Sequence, residues 1–452
     1  MNVDVDTLRR GAEAVLRGND RGRMTVAAPL LYPHQWSWDA AFVAIGLAHL
    51  SVERACAELE HLLAGQWRTG MIPHIVFDPD QRHDGTPGPR GYFPGPDRWG
   101  CADLSDDAPR HPATSGICQP PAHAIAVASI AETAARRGRA ERDQAVRFAA
   151  TSWPALIAWH RWLVDVRRSP TTGLIAVVHG WESGMDNSPR FDEPYSRVSV
   201  GAVLPPYRRS DLETVTDASQ RPSHEEYDRY LWLIEEMRAV RYDAHEVVRA
   251  SSFLVGDVFI TALLAVACDV LAALGAELAV GDAGERTWLR ATADELRTAV
   301  TASVDAASGL ALDVDERTGQ RIAVATIAGF APLLCGGLAG DAEAAMLALF
   351  EGPAWCGHPG LVARVPPSTS PQSAAFEPRR YWRGPTWPVI NWLFGWALAR
   401  RGHGALAATL RDESLAVLAD GDFGEYYEPF TGECLGSAEQ SWTAAVTLDW
   451  LA

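Results

Sequence analysis

The chain has 452 residues, 47% hydrophobic and only 21% charged, enough apolar material for a large core. A formal charge of −17 argues against nucleic acid as a partner, because phosphate binding relies on clustered cations. All 40 cationic residues are arginine; the missing lysines exclude Schiff-base chemistry, a P-loop and pyridoxal phosphate attachment, and leave carboxylates and histidines for acid–base work.

The seven cysteines (Cys56, Cys101, Cys118, Cys268, Cys335, Cys356, Cys434) are scattered and never spaced as Cys-x-x-Cys or with histidines at metal-site intervals. No metal is expected, and a reducing cytoplasm is the expected compartment. The N-terminal MNVDVDTLRR has no apolar h-region, and no later apolar run is read as reaching the eighteen or so residues of a membrane span. A soluble, untargeted protein is expected, and a homo-oligomer is compatible with everything in the composition. The 17 tryptophans are roughly three times the ordinary share, used either for core packing or for stacking on sugar rings.

Apolar residues at three- and four-residue intervals predict helices over 4–18, 38–49, 51–66, 119–137, 140–166, 223–241, 253–275, 283–306, 322–335, 340–350, 386–400, 403–418 and 438–451. Strand candidates are few and short, such as GLIAVVHG at 173–180, and no βα alternation appears. Helical hairpins with short connections and no Pro/Ser linker predict one all-α domain over 1–452, its hairpins arranged in a ring or layer. Residues 78–115 and 188–222 break this pattern: they are long, polar and rich in Pro and Gly, and are expected to be lids over a site.

Four stretches combine aromatics with polar groups outside helical periodicity: YPHQWSWDAAF (32–42), GWESGMDNSPRFD (180–192), RRYWRGPTWPVINW (379–392) and FGEYYEPFTGECLGSAEQSWTAA (423–445). Each lies in a connection or near a helix start, and in a barrel of paired helices such connections converge at one end. In the second stretch Glu182 and Asp186 are four apart, the spacing of one helix face, but Gly180, Gly184 and Pro189 favour a shaped loop. Sugar chemistry needs this mixture: aromatic faces to stack on a pyranose, polar groups to fix hydroxyls, and two carboxyl groups, one protonated and one ionised.

Those four stretches resemble glycoside hydrolase family 63, specifically its bacterial glucosylglycerate and mannosylglycerate hydrolases, over nearly the whole chain. WESGMDNSPR and YWRGPTWP are the specific motifs; the helices between them are generic. The resemblance implies a single (α/α)6 barrel with lid loops, an inverting mechanism, no cofactor, a small anionic glycoside as substrate and a part in compatible-solute turnover. It makes Asp186 the general acid and Glu425 the general base, with Glu428, Glu433 and Glu439 as local rivals for the second role. It places Trp36, Trp38 and Asp39 in a glucose subsite, with Gln119, Trp181, Gly184, Tyr381, Trp382 and Trp387 around it. It assigns Tyr32, Tyr92, Arg221, Tyr227 and Gln440 to the glycerate.

Elementary physics adds expectations. Asp186 must stay protonated, which Glu182 on the same loop would favour by supplying negative charge. Inversion requires the two carboxyl groups to stand roughly 6.5–9.5 Å apart. Without the family, Asp39 reads as an early-helix residue favoured by the dipole, and the tryptophans as packed hairpin ends. Arg383 reads as a structural partner of carboxylates or carbonyls, and His34 and His179 as buried, hydrogen-bonded histidines. The SHEE sequence at 223–226 also reads as a capping box. DPDQRHDG and LDVDERTG lack the full calcium-loop ligand series. The rival readings are a sugar epimerase, which would need paired histidines, and a non-catalytic sugar-binding protein.

Overall fold

The computed structural model describes residues 4–80, 92–215 and 217–452. Residues 81–91 of the first expected lid, including most of DPDQRHDG, lie outside that set. Among the described residues, six inner helices pack side by side in a closed ring: Ser37–Ala48, His123–Arg137, Val258–Glu277, Ala331–Cys335, Pro388–Arg400 and Ser441–Trp450, the last returning to the first. Each carries an outer helix. Val52–Ala64, Arg139–Trp162, Ala283–Ala302, Gly340–Glu351 and Gly404–Val417 follow the first five, and the N-terminal Val5–Asn19 packs on the last. The architecture is an (α/α)6 barrel.

Sequence pattern explains the two layers. The outer helices are amphipathic: Val5–Asn19 buries Leu8, Ala12 and Leu16 and leaves its other face to solvent. Its start is set by Asp4, whose carboxylate accepts from the Thr7 N–H; Asp282 and Glu285 form a capping box at the head of Ala283–Ala302. Inner helices such as Ser37–Ala48 and Val258–Glu277 bury residues on nearly every face, because neighbours surround them. All of Ser37–Ala48 is buried.

Val258–Glu277 corrects an expectation: its 20 residues are long and apolar enough by composition to cross a membrane. It is instead an inner stave of the barrel, with 89% of its most apolar window buried against other helices. Small residues let the staves approach closely. A Cβ on Gly46 would lie 2.4 Å from Ala445 Cα on the neighbouring helix.

The expected strand at 173–180 is Ile175–Val177, the edge of a four-stranded antiparallel sheet continuing through Val255–Asp257, Asp313–Asp315 and Gln320–Ile322. This sheet corrects two predicted helices. The apolar run from 253 is extended through Asp257, whose carboxylate then caps the helix by accepting from the Phe259 and Ile260 N–H groups. The stretch 322–335 is extended up to Thr326, followed by a 3-10 turn Ile327–Phe330 and only then the short helix Ala331–Cys335, because Thr326 pairs with Thr369. The predicted helix 223–241 is His224–Ala239 and carries the expected Ser223/Glu226 capping box; positive φ at Arg241 and Tyr242 ends it, and an unforeseen helix Ala244–Ala250 follows.

The Gly46 contact makes a sign prediction. Glycine to alanine in an exposed helix such as Gly18, which has nothing within 4 Å of the new Cβ, stabilises by up to about 1 kcal/mol. Gly46→Ala is expected instead to destabilise by roughly 1–3 kcal/mol, from overpacking against backbone. Thermal or urea melts of the two variants check it.

Candidate active site

Strand Ile175–Val177 delivers the chain to the GWESGMDNSPR segment. Residues Gly180–Ser183 form a 3-10 turn capped by His179, whose Nδ1 accepts from the Trp181 N–H at 3.0 Å. Glu182 points into the barrel wall. Arg167 grips it through both oxygens at 2.6 and 2.7 Å, and the Val178 and Cys118 N–H groups donate to it at 2.8 and 3.3 Å. Gly184 then turns the chain with φ +70, in a space where a Cβ would lie 2.7 Å from the Trp38 ring, so both conformation and clearance demand glycine. Beyond Asp186 the loop is fastened again by Arg190, whose Nη1 lies 2.9 Å from Asp257 and 2.8 Å from Asp313. Glu182 and Asp186 therefore part company: one is locked inward, the other faces a cavity.

Glu425 lies on the opposite chain segment, just before strand Tyr426–Tyr427. Its backbone N–H donates to the Ser437 carbonyl at 2.9 Å, and its carboxylate accepts from the Ser437 N–H at 3.1 Å and the Tyr32 hydroxyl at 2.9 Å. Arg221 donates to the same Tyr32 hydroxyl at 3.1 Å and lies 4.3 Å over the Tyr381 ring. The Tyr381 hydroxyl, 3.3 Å from that of Tyr32, hydrogen-bonds towards both Asp186 and Glu425. Among the neighbouring glutamates, Glu428 turns away to accept from the Phe430 N–H, Glu433 pairs with Arg379 at the surface, and Glu439 is exposed. Only Glu425 of the four borders the cavity.

Both carboxyl groups line one cavity. Its walls include Trp36, Trp38, Trp181, Trp382 and Trp442, with Tyr32, Tyr92, Tyr227, Tyr230 and Tyr381. Burial pushes the Asp186 carboxyl up to about 7, with Arg221 opposing and Glu425 adding to the rise. Asp39 is driven well above the usual carboxylate range, first by burial and then by Glu425. Glu425 is raised by burial, against which Arg221, the Ser437 N–H and the two tyrosine hydroxyls favour its charged form. A carboxyl protonated near neutrality facing a second one whose charged form receives hydrogen bonds and an arginine's charge, in an indole-walled cleft, can donate a proton to a glycosidic oxygen and activate a water.

The comparisons with known proteins agree. The model of the mannosylglycerate hydrolase MGH1-like glycoside hydrolase domain matches residues 32–443. The chain belongs to that family of glycoside hydrolases. A glucosylglycerate hydrolase of Mycolicibacterium hassiacum is 56% identical over 440 residues, 97% of this chain and 96% of that protein. A mannosylglycerate hydrolase of Thermus thermophilus is 42% identical over 97% of this chain and 99% of its own. The crystal structure of a GH63 mannosylglycerate hydrolase from Thermus thermophilus, in complex with Tris and D-glycerate, is similar with a TM-score of 0.86 and 41% identity, covering 98% of this chain and 100% of that one.

In this hydrolase the four sequence stretches do meet at one end of the barrel, where the inner helices start. Trp36 and Trp38 flank the head of Ser37–Ala48, and Asp39 lies in its first turn. Gln119 precedes His123–Arg137 and accepts from the Trp38 N–H at 3.2 Å; Gln440 immediately precedes Ser441–Trp450 and donates towards Asp39 at 3.4 Å. Tyr92, from the first long segment, and Arg221, from the second, complete the wall with Tyr227 and Gly184.

Two expectations need correction. Glu182 is not what raises Asp186, because its charge is neutralised by Arg167; burial and Glu425 act instead. Trp387 does not line the cavity. It stacks behind Trp382, centroids 3.6 Å apart and 4° from parallel, and stiffens that wall from the rear. Arg383 is structural as expected, forked onto Asp192 at 2.8 Å and bound to Glu377 at 2.6 Å. His34 and His179 are fully buried; His34 accepts from the Asp78 N–H, and His179 faces the Tyr230 carbonyl. Sequence reasoning missed Ser210, Asp211, His74, Tyr230 and Trp442, all on the cavity wall. The available signals were the RRSD run at 208–211, a charge cluster inside an expected lid, and the 423–445 stretch that holds Trp442.

The raised Asp186 carboxyl has a stability consequence. Its folded-state value, about 7 against an ordinary 3.8, means the native state holds an extra proton between them, so its contribution is present in acid and lost as pH rises through about 7. Asp186→Asn removes this titration. Its melting temperature is expected to gain on the parent between about pH 5 and pH 8. An unchanged gap in melts across that range contradicts the assignment.

Proposed function

We propose that the hydrolase cleaves 2-O-α-D-glucosylglycerate to glucose and glycerate with inversion at the anomeric carbon. The observation that carries this reading is the single cavity in which Asp186, Glu425 and the Arg221 guanidinium share an aromatic wall. Asp186, protonated, gives its proton to the glycosidic oxygen as the C1–O bond breaks. Glu425, ionised, takes a proton from a water that attacks C1 from the other face. Solvent then restores both groups, and water is the only co-reactant needed. Arg221 supplies a forked cation for the glycerate carboxylate, with Tyr32, Tyr92, Tyr227 and Gln440 as neighbours. Trp36, Trp38 and Asp39, with Gln119, Trp181, Tyr381 and Trp382, hold the sugar.

Glucose is preferred over mannose because the 56% identical relative is a glucosylglycerate hydrolase. The mannosyl reading has its own support in the 40–42% identical relatives named mannosylglycerate hydrolases, and the two sugars differ by the orientation of one hydroxyl. The seven unpaired cysteines favour a reducing cytoplasm as the place of action.

Side-by-side kcat/KM on the two glycosylglycerates is expected to favour the glucosyl compound; activity on trehalose or oligosaccharides alone would overturn the acceptor assignment. Asp186→Asn and Glu425→Gln are each expected to lower kcat by about 10²–10⁴-fold with ligand affinity retained, as measured by turnover and calorimetry. NMR during the first turnovers should show β-glucose before mutarotation. The pH profile of kcat/KM should be a bell whose alkaline limb falls through about 7 as Asp186 deprotonates, and whose acid limb falls as Glu425 takes a proton.

A further inference from the structure

The segment 188–222 carries an ion cluster that the hydrolytic step does not use. Asp211, almost fully buried, lines the cavity beside Arg221. Its carboxylate has two claimants. Arg209 engages it as a fork, Nε at 2.8 Å and Nη2 at 2.6 Å; Arg221 reaches it through Nε alone, at 3.4 Å. Arg209 is itself outside the cavity wall and immobilised: it donates to the Pro222 and Ser223 carbonyls at 2.9 and 3.3 Å and lies 4.2 Å over the Tyr227 ring.

A carboxylate in the wall next to the cation that should bind the substrate's carboxylate is a resident competitor. It has the same charge and the same fork-accepting geometry, and it never diffuses away. Its hold on Arg221 is nevertheless the weaker of the two, because Arg209 has already satisfied it in the bidentate arrangement. The charges of Arg209 and Asp211 cancel as a pair, and Arg221 keeps its own.

We propose that Arg209 is a specificity-determining residue: by occupying Asp211 it keeps Arg221 available to an anionic aglycone. It acts through Asp211 and Arg221 and touches no substrate. The inference rests on the glycerate acceptor proposed above. It also explains why two arginines and one aspartate converge where a single arginine would bind a carboxylate.

The test compares 2-O-α-glucosylglycerate with its neutral analogue 2-O-α-glucosylglycerol. Arg209→Gln lets Asp211 take the Arg221 fork, so KM for the glycerate is expected to rise about tenfold or more, with kcat and the glycerol parameters little changed. Adding Asp211→Asn removes the competitor and should restore KM. Asp211→Asn alone should leave KM for the glycerate at or below the parent value, which keeps the proposal testable if Arg209→Gln does not fold. Equal losses on both substrates, no rescue in the double variant, or a raised KM in Asp211→Asn would each overturn the inference while leaving the acceptor assignment standing. A parent enzyme with no preference for the anion would overturn both.

Discussion

The site depends on two buried ion pairs that hold one loop from its two ends. Glu182 is fastened to Arg167 on one side of Asp186, and Arg190 is fastened to Asp257 and Asp313 on the other. All five side chains are nearly or wholly removed from solvent. Removing one partner of such a pair strands a charge in the interior, at a cost of about 3–5 kcal/mol, so the loop has little freedom to rearrange. The second fastening does more than anchor. Asp257 also caps the inner helix Val258–Glu277, and Asp313 accepts from the Val258 N–H at 2.8 Å, so sheet, helix and loop are fixed by the same two carboxylates.

That rigidity lets electrostatics do the chemical sorting. Asp39, Asp186 and Glu425 surround one aromatic cavity with Arg221 as the nearby cation. Burial raises all three carboxyl groups. The Ser437 N–H and the tyrosine hydroxyls favour the charged form of Glu425, and each charge left in the cavity makes its neighbours harder to ionise. An unequal environment of this kind is what can separate an acid from a base, since the residue types alone would not. The stacked Trp382 and Trp387 back the cavity wall with a second indole.

The two long segments close a cavity whose other walls come from the barrel. Phe93 and Tyr92 come from the first long segment and Ser210, Asp211 and Arg221 from the second, joined where the Phe93 N–H donates to the Ser210 hydroxyl at 3.2 Å. Barrel helix starts fix the tryptophans, Asp39 and Gln440. Loops on a fixed scaffold can change while the scaffold-borne part of a cavity stays in place.

Much of this was legible in the chain itself. Helical periodicity and the lack of βα alternation predicted a mainly helical domain, in a ring or a layer, because 3.6-residue repetition is a local property of sequence; closure into a six-fold barrel was implied by the family resemblance. Resemblance to the family singled out Asp186 and Glu425 as candidate acid and base, and both line the cavity; the glycines and proline of the 180–190 stretch foretold a loop. Tertiary structure alone decided which carboxylate of that stretch faces inward: Arg167, fifteen residues away, claims Glu182, and nothing in the local pattern announces it. It also set Trp387 behind Trp382, converted the apolar run at 255–257 into a strand by pairing it with 175–177 and 313–315, and gathered Arg209, Asp211 and Arg221 into one cluster. Periodicity records whether a residue is buried; which distant partner meets it there is fixed only when the chain closes on itself.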